Sequence, residues 1–138
     1  MNGFQFGRPS SFPSKRSWFL VICLAILTGC GGPYISAPVK VDVARKTLVS
    51  TMESWKGGET PDGVRKKSPS VVVQDMDWTN GAKLIEYEIL GDGKPVDANL
   101  IAKVKLKLSG ADGKETVKTV TYVVGTSPVL TVFRDIMN

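Results

Sequence analysis

The chain has 138 residues, with 18 Lys and Arg against 13 Asp and Glu and no histidine, which suits one small domain with an extension. Arg8, Lys15 and Arg16 precede residue 30 in a stretch without Asp or Glu, so the remainder holds 15 cations against 13 anions; a net +2 excludes a nucleic-acid footprint. Cys23 and Cys30 lie in or beside one apolar stretch, and beyond residue 30 there is neither thiol nor imidazole, which excludes disulfides, cysteine nucleophiles, histidine bases and the usual zinc ligands from the domain. No metal and no cofactor are therefore expected.

Met1 to Ser17 is polar and basic, and Trp18 to Thr28 (WFLVICLAILT) is a continuous apolar run followed by small residues. This is the order of regions in a secretory signal. The run is about half of the ~20 residues that a spanning helix needs, so cleavage rather than permanent insertion is expected. Leu27-Thr28-Gly29-Cys30 resembles the lipobox of bacterial lipoproteins. That resemblance implies cleavage between Gly29 and Cys30, a diacylglyceryl group on the Cys30 thiol and acylation of the new amine. Several acyl chains, at ~0.8 kcal/mol per buried methylene, would anchor the protein stably to a membrane. Ser14-Lys15-Arg16-Ser17-Trp18-Phe19-Leu20 resembles a twin-arginine export motif with Lys in place of the first Arg, and the replacement favours general secretion. The expected division is a signal peptide over 1–29, a lipidated tether over 30–38 and a folded domain over 39–138. The expected location is the cell envelope, on the periplasmic face or the outer membrane.

Gly31 to Pro38 (GGPYISAP) is too rich in Gly and Pro for a regular element and reads as the tether. Val41, Ala44, Leu48, Met52 and Trp55 then recur at spacings of three and four, which predicts an amphipathic helix ended by Gly57-Gly58. Thr60-Pro61-Asp62-Gly63 predicts a capped helical turn, and Arg65-Lys66-Lys67 a solvated basic loop.

From Val71 the period becomes two. Turn signals at Asn80-Gly81, Gly91-Asp92-Gly93, Gly110 to Gly113 and Gly125 to Pro128 cut the rest into five candidate strands: Ser70 to Trp78, Lys83 to Leu90, Asn99 to Ser109, Glu115 to Val124 and Val129 to Arg134. The fold class expected is α+β, one N-terminal amphipathic helix packed on a four- to five-stranded antiparallel meander. Alternation sets Ile85, Tyr87 and Ile89 against Glu86 and Glu88, and Ala102, Val104, Leu106 and Leu108 against Lys103, Lys105 and Lys107. The two charged sets then form a cross-strand ladder on the solvent face, not a basic stripe for an anionic partner.

One amphipathic helix followed by such a sheet resembles the cystatin-like architecture and, more loosely, the NTF2-like cone; the layout as a whole is similar to small bacterial lipoproteins, which implies no activity. True cystatins inhibit proteases through a Gln-Val-Val-Ala-Gly-type hairpin tip and a Pro-Trp loop. Here Val123-Val124-Gly125 lacks the Gln and Pro128 has no Trp beside it, so that activity is not expected. NTF2-like enzymes use an Asp or His in a cavity between helix and sheet. Asp75 and Asp77, two residues apart, are the candidate acid and base, set against a plainer reading as the outer face of an edge strand. Trp78 and Phe133 would anchor a partner if exposed, with burial as the default. The function expected is a non-catalytic, lipid-anchored module with an envelope protein as partner; the alternative is a small NTF2-like enzyme or ligand carrier.

Overall fold

A computed structural model describes residues 36–137 together with Gly7. The chain divides into Met1–Tyr34 and Ile35–Asn138, and the description concerns the second unit. The expected signal peptide, cleavage at Gly29, lipidation at Cys30 and the tether as far as Ile35 lie outside the described residues.

Helix α1 spans Val41–Lys56, with Asp42 in its first turn and Lys56 in its last, each opposite in sign to the partial charge of the nearby helix end. Ala44, Leu48, Met52 and Trp55 are buried with Thr47 and Thr51, and Val41 packs against the same core. Burial of Leu48, Met52 and Trp55 contributes about 1.5–3 kcal/mol each, which outweighs the marginal stability of an isolated helix of this length. Gly57 stops the helix and Gly58 follows at φ +83°. Helix α2, Pro61–Arg65, begins as its sequence requires: Thr60 Oγ1 accepts the Gly63 N–H at 3.1 Å and Pro61 opens the first turn.

The strands are β1 (Val71–Gln74), β2 (Lys83–Val96), β3 (Asn99–Ser109), β4 (Glu115–Gly125) and β5 (Leu130–Asp135), with a short helix α3 (Met76–Thr79) between β1 and β2. They form one five-stranded sheet in the order β1-β5-β4-β3-β2. Strands β2 to β5 make an antiparallel meander, but β1 lies parallel to β5, with Val71 opposite Leu130 and Gln74 opposite Phe133. The fold is therefore α+β with a mixed sheet, which corrects the expectation of a wholly antiparallel one. The cause is the connection after β1. Strands β1 and β2 occupy opposite edges, about 19 Å apart at the usual strand spacing, and residues 75–82 cross that distance through α3 instead of turning back in a hairpin.

Three further expectations change. The first strand ends at Gln74 rather than Trp78, because Asp75 caps α3. Gly91-Asp92-Gly93 is a bulge inside β2, where the register shifts between Leu90 and Lys94; the hairpin closes instead on Asp97-Ala98, with Asp97 at φ 50°. Ile85 sits at a second register shift and is exposed, so Leu84 enters the core in its place. The alternation read in β3 holds, with Leu100, Ala102, Val104, Leu106 and Leu108 buried and the intervening lysines at 103 and 105 exposed.

Helix α1 packs across β2, β3, β4 and β5 on one face of the sheet. The strand directions then give the domain two ends. One holds the start of α1, the β2–β3 turn and the β4–β5 loop; the other holds the end of α1, α3 and the β3–β4 turn. These are called below the entry end and the far end.

Candidate functional site

At the far end the core-facing side of the sheet changes from apolar to charged. Alternation along β4 puts Lys118 and Tyr122 on the same side as Val120 and Val124, and Arg134 lies beside Tyr122 across the strand pair. Helix α3 meets these side chains with two carboxylates. Asp75 is buried at 3 % exposure. Its Oδ1 accepts the Trp78 N–H at 3.1 Å, which caps α3, and its Oδ2 accepts the Tyr122 hydroxyl at 2.6 Å; the Thr79 hydroxyl donates to its backbone carbonyl at 2.7 Å. Asp77, two residues on, accepts from Lys118 Nζ at 2.8 Å and from Arg134 Nη1. Arg134 also lies 3.6 Å from Asp75.

The electrostatics follow from these contacts. Partial burial of Asp77 works to raise its pKa, but hydrogen bonds and charge from Lys118 and Arg134 outweigh it and hold the carboxyl below its ordinary value of 3.8. Burial, then the charge and hydrogen bond of Asp75, push the Tyr122 phenol far above its ordinary range, so it stays a neutral donor. For Arg134 burial opposes the charge, and Asp77 and Asp75 restore it.

The structure brings Asp75 and Asp77 together, though not on the outer face of a strand, and adds three partners that the sequence reading did not name. A signal for them was present. Arg134 shares its alternation with Val132, and a cation on the core side of a strand requires a carboxylate. Asp75 to Gly81 (DMDWTNG) also has the form of a short capped helix, with an acidic N-cap and a Gly after its end.

Beside this network the far end is closed by two indoles. The Trp55 and Trp78 rings stack with centroids 4.9 Å apart and planes 4° from parallel, and both are buried. Trp55 Nε1 donates to the Ala82 carbonyl and Trp78 Nε1 to the Glu59 carbonyl, each at 2.8 Å. A groove of about 680 Å³ runs outside them, bordered by Glu59, Asp62, Lys83 and Ile85. Neither Asp75 nor Asp77 lines it. Asp77 borders a separate shallow depression of about 370 Å³ with Lys118, Arg134 and the exposed Met76.

On the outer sheet face Glu86 pairs in register with Lys107, and Glu88 with Lys105. Lys107 makes its ion pair with Glu115 at 2.9 Å, which raises its pKa. Lys105 and Lys107 thus lie opposite glutamates as the ladder reading expects, whereas Lys103 lies between Leu90 and Thr121. Trp78 is buried, and Phe133 is half-buried in register with Val123. Among the described residues no group of three His, Cys, Asp or Glu is placed to hold a metal ion, and no helix is long and apolar enough to cross a membrane. Compared with known protein families, with curated proteins and with solved structures, the chain matches none.

Proposed function

We propose that the protein is an envelope lipoprotein, held to a membrane through acylated Cys30, whose domain is a non-catalytic binding or structural module. The observation that carries the non-catalytic part is the use made of the two candidate acids. Asp75 is surrounded by the Trp78 amide, the Tyr122 hydroxyl and Arg134, and Asp77 is shared by two cations. Both carboxylates are occupied in fastening α3 to the sheet, and neither faces the groove between the end of α1 and β2. A general base needs a free lone pair within reach of a substrate proton. The anchor rests on the lipobox-like Leu27-Thr28-Gly29-Cys30 at the end of an apolar run. The layout, one long helix on a four-stranded meander with a parallel strand added, is in this reading a variant of the cystatin-like arrangement. Its partner is another envelope protein.

Growth of expressing cells with a clickable fatty-acid analogue tests the anchor. Wild-type protein is expected to carry label and to sediment with membranes, and Cys30→Ala to lose both. Equal labelling of the two would refute lipidation at Cys30. Crosslinking and pull-down of the wild-type protein from native membranes then identifies the partner.

A further inference from the structure

The entry end of the domain carries a surface whose position follows from where the chain arrives. Val39 N–H donates to the Asp97 carbonyl at 3.0 Å, and Lys40 N–H to Thr126 Oγ1 at 3.2 Å. The arriving segment is therefore pinned between the β2–β3 turn and the β4–β5 loop before α1 begins. Each of the three pieces holds the same dipeptide: Pro38-Val39, Pro95-Val96 and Pro128-Val129. Val39 packs against the core, whereas Val96 is 41 % and Val129 54 % exposed. Proline keeps the flanking backbone stiff and removes a donor that would otherwise need water.

Charge at this end nearly cancels. Lys40 and Lys94 are offset by Asp42 and Asp97, and Arg45 is tied to Asp92 at 2.7 Å. An apolar tip without net charge suits a lipid interface more than an anionic partner. Length decides which end can reach one. Val39 lies nine positions after Cys30, a stretch that fully extended spans about 30 Å. Strand β3, with 11 residues, is about 36 Å long at the usual rise. An anchor at Cys30 cannot run back along the domain and seat the far end on the bilayer.

Resting on the proposed lipidation of Cys30, we infer that the entry end, with Val96 and Val129 at its tips, is the surface by which the domain sits on the bilayer, while the far end faces away. The two valines offer too little apolar area to hold the domain without the acyl chains. They set its orientation instead.

The test uses protein purified with its native acylation from membranes and reconstituted in phosphatidylcholine vesicles. Single Val96→Cys, Val129→Cys, Asp112→Cys and Val117→Cys variants are labelled with an environment-sensitive fluorophore. Asp112 lies in the β3–β4 turn at the far end and Val117 on the outer sheet face. Blue-shifted emission and quenching by a lipid-borne quencher are expected at 96 and 129, with water-like emission and at least threefold greater quenching by iodide at 112 and 117. Water-like emission at 96 and 129 in acylated, vesicle-bound protein overturns the inference and leaves lipidation standing; so does a lipid signal at 117 or 112 instead. An intact mass without acyl chains, with Cys30 open to the thiol reagent, overturns both.

Discussion

Asp77 shows how a charged side chain can be structural in this fold. Its side chain is 28 % exposed and meets Lys118 at 36 % and Arg134 at 18 %, so water screens the group only in part. Replacement of one member of such a cluster leaves the others short of a counter-charge. Asp77→Asn is expected to cost about 1–3 kcal/mol at pH 7, discounted from the fully buried case because Lys118 reaches solvent. Because folding lowers the pKa of Asp77 below 3.8, its stabilising effect is complete above that value and fades as pH falls through the lower folded value. Urea midpoints of wild type and Asp77→Asn should therefore differ at pH 7 and converge as the pH falls progressively below 3.8. A gap that stays constant with pH would show that the amide fails for a reason other than charge. Tyr122 makes the same point from the donor side: it is wholly buried, and its hydroxyl has one designated acceptor, Asp75.

At the level of elements, β2 is the one that departs most from a regular strand. It is an edge strand of 14 residues, long enough to recruit another chain, and its two register shifts, its glutamates and Pro95 all discourage that. Gly93 allows the shift between Leu90 and Lys94. Its φ is +77°, and a Cβ there would lie 3.0 Å from Leu100 Cδ1 and 3.1 Å from the Ile101 carbonyl oxygen. Gly58 has a similar φ of +83° with nothing within 4 Å. Gly58→Ala is expected to cost about 1–2 kcal/mol for conformation alone, and Gly93→Ala about 1–3 kcal/mol more for the clash. Thermal melts of the two variants check the difference, and equal losses would mean that the bulge relaxes freely. Elements whose period sets their boundary were legible from residues alone: α1 from its stripe, β3 from strict alternation, α2 from Thr60-Pro61. The bulge was not. Gly-Asp-Gly also suits a hairpin turn, and the real turn, Asp97-Ala98, has no glycine to mark it. Alternation makes the first strand look longer than it is because Val72, Met76 and Trp78 put an apolar residue at most even positions, while Asp75, whose Oδ1 caps α3, is held in place by Tyr122, 47 residues away.

Across the molecule, the parallel β1–β5 pair is the feature that local pattern could not reveal, since it joins segments about 60 residues apart on the strength of edge placement alone. Half of the candidate site was legible for the same reason: Asp75 and Asp77 stand out in the sequence, but the cations that hold them come from β4 and β5. Strand β5 lies between β4 and β1 and supplies both Val132 to the core and Arg134 to the charged network. Truncation before residue 130 is thus expected to abolish the cooperative unfolding transition rather than shift it, as read by tryptophan fluorescence in a urea series. A retained sharp transition would show that four strands suffice. The strand that seals the sheet is thus made well after the edge strand it joins, Leu130 following its partner Val71 by 59 positions. For a protein exported N-terminus first, as proposed, at ~5–20 residues per second of synthesis, the domain has no way to close early. The Val71–Gln74 edge waits for its partner until Leu130–Asp135 arrives, so the order of the strands itself delays closure of the sheet during export.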